Sequence, residues 1–325
     1  MVRFVLAKFK WLLPLYCRIR PYLHKQLFFS IFLRRFGMRQ MILCEDDFCV
    51  MGGLCDRLNG IVSMYKYCKE NDVPFKINFV KPFDLRNYLI PNMYDWTVDS
   101  SKIDYLHSHL RYIPMMDIKW HNFEHYFSTQ TKYVKKMIEN WNKGTLICWS
   151  NAHLVRKEEF STLFEELFRP SKVVQDEIDA NLKNVGGPYI GITVRFQNRL
   201  GDFKEANVKP LSNEEKKELI NRCRDKILEI HNAYPQKKIL VTSDSRTFLD
   251  YMDAYDFVYT IPGKLIHMEY SFESGIDAYI KGFVDLLMLS KADALYLLIT
   301  GNMWRSSFSE TASYIGNCDY FDVRF

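Results

Sequence analysis

Residues 186–203 read GGPYIGITVRFQNRLGDF: a Gly-Gly-Pro turn, a short apolar run, then two arginines and an aspartate. An apolar run of this length between turn residues predicts a buried strand. SNEEKKELINRCRDKILEIHNAY (212–234) follows as a long helix, opened by a capping box of Ser212 and Glu215. Next come KKILVTSD (237–244) as a strand, SRTFLDYMDAY (245–255) as a helix, FVYTI (257–261) as a strand and DAYIKGFVDLLMLSKA (277–292) as a helix. DALYLLIT (293–300) is a further strand, followed by a helix from about Ser307 and a last strand, YFDVRF (320–325). KVVQDEIDANLKN (172–184) is a helix ahead of them all. Strands alternating with helices of this length imply a parallel sheet with helices on both faces.

Upstream, CEDDFCV (44–50) reads as a strand leading through a glycine turn into the helix of MGGLCDRLNGIVSMYKYCKEN (51–71), with Leu54, Leu58, Ile61, Met64 and Tyr65 on one face. PFKINFV (74–80) and TLICWS (145–150) read as strands, whereas residues 84–143 are aromatic-rich and lack clean periodicity. A chain of 325 residues with 48% hydrophobic residues has material for two cores. The expected fold class is α/β, with two Rossmann-like domains split near residues 165–175. Residues 41–170 form the first and 171–325 the second, behind a basic segment over 1–40.

The charge is unevenly placed. Residues 1–40 hold nine of the 44 Lys and Arg and no Asp or Glu, leaving 35 basic against 39 acidic residues in the remainder. Within this segment the longest uncharged runs are Gln26–Leu33 and Trp11–Cys17, well short of the ~20 residues of a spanning helix. Lys8, Lys10, Arg18 and Arg20 also interrupt any secretory core. Trp, Phe and Leu interleaved with Lys and Arg suit a segment lying on an anionic membrane surface. A basic helix pair packed on the body and a nucleic-acid arm are the alternatives, and no nucleic-acid partner is expected. Eight scattered cysteines without a CxxC pair read as small core residues in a reducing compartment. The expected location is cytoplasmic, peripheral to the inner face of the membrane.

Ligands of open parallel sheets bind beyond the carboxyl ends of the strands. Those ends carry the glycines of CVMGGLCDR (49–57), Arg195, Asp244, and the loop of LLITGNMWRSSFS (297–309) with Ser306 and Ser307 opening a helix. Arginine forks, hydroxyls and free helix amides at one edge describe an anion site, suited to a phosphate or diphosphate. Taken singly, each has a plainer reading as ion pair or helix cap. Neither GxxxxGK[ST] nor GxGxxG is present, which excludes a P-loop kinase and a classical dinucleotide site.

GGLCDRLNGI (52–61), ITVRFQNRLGDF (192–203), ILVTSDS (239–245) and FVDLLMLSKADALYLLITGNMWRSSFSETASYIGN (283–317), in this order, resemble the motifs of the fucosyltransferase superfamily. The resemblance spans about a hundred residues in four blocks. It implies a GT-B fold with a ligand crevice between its domains, and inverting transfer of fucose from GDP-fucose without a metal or other cofactor. The acceptor it implies is a bacterial surface polysaccharide or a lipid-linked glycan precursor. By motif, Arg195 would hold the β-phosphate and Asp244 lie near the nucleoside. Ser306, Ser307 and Phe308 would bind the diphosphate at a helix N-terminus, and the Gly52, Gly53 and Arg57 turn would face the donor. Arg199 and Arg305 are further candidates for the developing charge. Asp202 is the candidate general base, with Asp56 and Glu205 behind it. Two departures stand out: Thr193 replaces the usual histidine, and Arg195 and Asp202 are further apart than in HxRRxD. Two other readings compete, a catalytically inactive membrane-bound scaffold and a zinc hydrolase through His121, Glu124 and His125 of HNFEH (121–125), an HxxEH match.

Overall fold

Parallel strands can exchange hydrogen bonds only after a crossover, and in the computed structural model every crossover of the second half is a helix. The structure describes residues 12–25, 27–33, 37–49, 51–115, 123–202, 208–266 and 275–325. The chain divides into two compact units: residues 1–85 with 91–168, and residues 86–90 with 169–325.

The first unit holds four parallel strands, β1 (Gln40–Glu45), β2 (Phe75–Phe79), β3 (His109–Ile113) and β4 (Thr145–Ser150), in the order β2-β1-β4-β3. Among the described residues, helices α1 (Leu13–Lys25), α2 (Leu54–Glu70), α3 (Phe123–Ile138) and α4 (Lys157–Leu167) accompany them, with a single helical turn at Ser30–Leu33. Helix α2 is buried on nearly all sides, including Leu54, Leu58, Ile61, Met64 and Tyr65. Its backbone runs so close to the end of β4 that a Cβ on Gly60 would lie 1.9 Å from the Ser150 carbonyl oxygen. Among the described residues no helix is long and apolar enough to cross a membrane.

Two expectations change here. The strand read from Cys44 starts at Gln40 and stops at Glu45, because the next residues bend. The Asp46 carboxylate accepts from the Phe48 amide (3.2 Å), the Trp149 indole (2.7 Å) and the Tyr105 hydroxyl (2.6 Å), and Asp47 takes φ 67°. Residues 84–143 are also more regular than their composition suggests, since they contain β3 and α3. In β3 the polar His109 and Arg111 are buried, and Arg111 donates to the Met137 and Leu110 carbonyls at 2.8 and 2.9 Å. The inward face of α3 is Tyr126, Gln130, Tyr133, Val134, Met137 and Ile138, polar or phenolic over its first two turns and aliphatic only at its end.

The second unit is a five-stranded parallel sheet flanked by helices. In chain order its elements are α5 (Lys172–Val185), β5 (Tyr189–Val194), α6 (Asn213–Ala233), β6 (Lys238–Ser243), α7 (Arg246–Met252), β7 (Val258–Thr260), α8 (Asp277–Leu289), β8 (Ala294–Ile299), α9 (Phe308–Gly316) and β9 (Asp319–Arg324). The strand order is β9-β8-β5-β6-β7. Ser212 caps α6, accepting from the Glu215 amide, while Glu215 accepts from the Ser212 amide, completing the capping box. Ile190, Ile192 and Val194 of β5 are buried with Ile239, Val241, Leu297 and Ile299 of its neighbours and with Cys223 and Ile227 of α6. The chain winds outward from β5 to β7, then crosses back to place β8 on the other side of β5. This reversal leaves a crevice at the carboxyl ends of β5 and β8, the topological switch point.

Candidate active site

At that switch point lies a cavity of about 190 Å3, lined from β5 by Thr193, Val194 and Arg195 and from β6 by Thr242, Ser243 and Asp244. Lys264, Leu265 and Ile266 close one side, Lys281, Gly282 and Asp285 of α8 another, and Ser306 and Phe308 the mouth of α9. Arg195, Asp244, Ser306 and Phe308, singled out from sequence over a span of more than a hundred residues, line one space within the second unit.

The turn after β5 is what aims Arg195. Asp244 receives the Phe196 amide on Oδ1 and the Gln197 amide on Oδ2, both at 2.8 Å, and Gln197 takes φ 57°. A left-handed glutamine is uncommon and needs such a bracket to hold it. Phe196 anchors the same turn from below, fully buried with its ring 4.8 Å from Phe248. Burial pushes the Asp244 carboxyl up to about 6, while the Arg195 charge and the two amides pull the other way. Thr193, at the position of the superfamily histidine, is buried, and its hydroxyl is 2.9 Å from that of Thr242.

Helix α9 begins at the cavity mouth. Ser307 is its N-cap residue, and the buried Ser306 hydroxyl accepts from the Phe308 amide at 3.3 Å. The first turn of a helix of this length offers backbone amides and the positive end of its dipole to an anion.

One pair in this wall was not foreseen. Lys281 and Asp285, one turn apart on α8, are 4% and 6% exposed, and Lys281 Nζ donates to both carboxylate oxygens at 2.7 and 2.8 Å. Burial raises the Asp285 carboxyl above the usual range against the opposing pull of Lys281. An i,i+4 Lys–Asp pair usually marks a solvated helix face. The signal here was its setting inside YIKGFVDLLML (279–289), where nearly everything else is apolar.

Several sequence candidates hold the protein together instead of lining the cavity. Asp202 is committed to the N-terminus of α7, accepting from Ser245 Oγ at 2.5 Å and from the Thr247 amide and hydroxyl at 3.0 and 2.8 Å. Arg199 donates to Gln197 Oε1 at 2.8 Å and to the Asn302 carbonyl, joining the loops after β5 and β8. Arg305 pairs with Glu310 at 2.8 Å and Asp322 at 2.7 Å.

In the first unit, Gly52 has φ +84°, and a Cβ there would lie 2.5 Å from the Asp56 carboxylate. That carboxylate accepts from the Gly53 amide at 3.2 Å, which shapes the turn into α2. Arg57 is buried, paired with Glu45 at 3.0 Å and donating to the Gly52 and Lys81 carbonyls, both at 3.0 Å. Glu124 lies on α3, and both its oxygens pair with Arg156 at 2.7 Å. His121 and Glu205 lie outside the described residues, and among those described no group of His, Cys, Asp or Glu is arranged to hold a metal ion.

No protein-family model matches the chain, and no curated protein matches it in sequence. Solved structures do. NodZ alpha-1,6-fucosyltransferase soaked with GDP-fucose matches at a TM-score of 0.54 and 14% identity, covering 86% of this chain and 93% of that one. A variant of FUT1 from Arabidopsis thaliana in complex with GDP gives 0.55 at 13%, covering 94% of this chain and 77% of its own. POFUT1 in complex with GDP gives 0.50 at 12%, covering 88% and 98%. With identities this low the likeness is one of fold alone: the backbone of this chain resembles those of the solved fucosyltransferases.

Proposed function

We propose that this chain is a glycosyltransferase that moves fucose from GDP-fucose to a glycan acceptor, with inversion at the anomeric carbon and without a metal. The observation that carries the reading is the convergence of Arg195, Ser306 and the first turn of α9 on one cavity at the switch point of the second unit. When the bond from the anomeric carbon to the diphosphate breaks, the sugar acquires oxocarbenium character and negative charge grows on the leaving group. The Arg195 fork and the amides opening α9 suit that growing charge, and most of the catalysis lies there. The acceptor hydroxyl attacks the opposite face of the sugar, loses its proton and so inverts the centre. Lys264 adds a second cation to the cavity wall. Guanine presents a carbonyl oxygen beside two N–H donors, and the Lys281–Asp285 pair offers a cationic donor beside a carboxylate acceptor. The acceptor is proposed to be a bacterial surface polysaccharide or its lipid-linked precursor.

Thermal unfolding with GDP, UDP, CDP and ADP, each in EDTA, tests this. A ligand at 100 times its Kd adds about 2.7 kcal/mol, so GDP is expected to raise the midpoint selectively. A shift with UDP alone would keep the transferase and discard the fucosyl donor. No shift with any nucleotide would leave a scaffold.

A further inference from the structure

Helix α1 is fastened to the first unit along one side. Cys17, Pro21 and Tyr22 are buried, the Tyr22 hydroxyl accepts from the Leu110 amide on edge strand β3 at 3.2 Å, and Arg20 lies 4.0 Å above the Tyr112 ring. Arg18 donates to the Lys136 carbonyl at 2.5 Å and pairs with Glu139 at 3.3 Å. Beyond this anchored helix the chain turns into a single helical turn, Ser30–Leu33. There Phe28, Phe29, Ile31 and Phe32 are 54, 71, 40 and 76% exposed, and Leu23 nearby is 61% exposed. Single exposed leucines need no explanation, but four large apolar side chains in five consecutive positions form a patch. Phe28 and Ile31 also line, with Ile19, Tyr22, Arg18 and Arg111, a cavity of about 150 Å3.

We propose that this tip enters the headgroup boundary of an anionic lipid bilayer, with Phe28, Phe29 and Phe32 as the inserting side chains. Charge decides between this occupant and a protein. Residues 1–40 carry nine Lys and Arg and no acidic residue, whereas the rest of the chain has a small acidic excess. Exposed aromatic and aliphatic side chains within a stretch of sequence that is basic and free of acidic residues match a surface with hydrocarbon beneath and anions above. The apolar cavity beneath Phe28 and Ile31 extends this surface inward, with two guanidinium groups in its lining. None of this depends on the donor site, so the proposal stands or falls separately from the transferase reading.

Flotation of the full chain with vesicles tests it. The parent is expected to float with vesicles containing phosphatidylglycerol, to float less as salt rises, and to stay behind with phosphatidylcholine alone. Replacing Phe28, Phe29 and Phe32 together by Ser is expected to weaken partition at least ~10-fold, with an unchanged unfolding midpoint because all three are exposed. A second variant, Phe32→Trp, needs no loss of contact: its emission should shift to the blue on adding anionic vesicles and not on adding neutral ones. Parent-like flotation of the triple variant, or no spectral shift, would overturn the proposal. So would a parent dimer that the triple variant converts to monomer without any lipid binding, which would make the tip a contact between copies.

Discussion

Arg195 owes its aim to Asp244 at the end of β6 and to the packing of Phe196 against Phe248 of α7. It leaves the end of β5 into a turn whose amides are held by Asp244, and it faces the mouth of α9. Arg195→Lys keeps the charge and loses the planar fork, so a steady-state assay with GDP-fucose is expected to show a fall in kcat of at least ~10²-fold. Turnover near that of the parent would remove Arg195 from its role. Lys281 and Asp285 are coupled differently, because each is buried against the other. Removing one partner leaves an uncompensated buried charge, so Lys281→Met and Asp285→Leu should each cost roughly 3–5 kcal/mol in denaturant unfolding. The double variant should recover most of that stability while losing preference for GDP over UDP, and retained preference would show that the pair only holds α8 in place. Arg195, Asp244 and Ser306 were legible from sequence because strand ends and helix starts point to the ligand edge of a parallel sheet. Arg199, Arg305 and Asp202 were further candidates that the structure places in ion pairs, loop contacts and a helix cap, since these uses draw on the same residue types as ligand binding. Only the distances separate the two uses.

Helix α7 illustrates the same point for an element. With Ser245 as its N-cap, Asp202 supplies a second acceptor from the distant loop after β5, gathering the Thr247 amide and hydroxyl. Asp202→Ala is expected to lower stability by about 1 kcal/mol, the ordinary cost of a lost cap, with kcat within a few-fold of the parent. A fall of two orders of magnitude in kcat at unchanged stability would return Asp202 to the role of general base. The elements of the second unit were readable because each strand except the charged and largely exposed β9 is a short apolar run between turn signals. In the first unit β3 was hidden by His109 and Arg111, polar residues buried in the strand, the arginine by donating to the Met137 and Leu110 carbonyls. Helix α3 was hidden by tyrosines and Gln130 standing where aliphatics would have declared a period. Patterning by hydrophobicity fails where polar side chains are satisfied inside the protein.

For the whole molecule, the cavity belongs to one compact unit, and its walls come from segments far apart in sequence. Hydrogen exchange in the presence of GDP should therefore protect amides around 193–197, 242–244, 281–285 and 306–309, leaving strands β1 and β4 unchanged. Equal protection of both units would mean that the nucleotide also engages the first. The same strand order has a consequence during synthesis. Strand β5 is made early and gains β6 on one edge within about fifty residues, but its other edge waits for β8. At ribosomal speeds the intervening hundred residues take roughly 5–20 s, and through that interval a strand that ends up buried along its whole length shows an unpaired edge, an invitation to pair with another chain. No ligand of the cavity can shorten this exposure, since Ser306 and Phe308 have not yet been made, so the newborn chain passes through it without help from whatever the finished site binds.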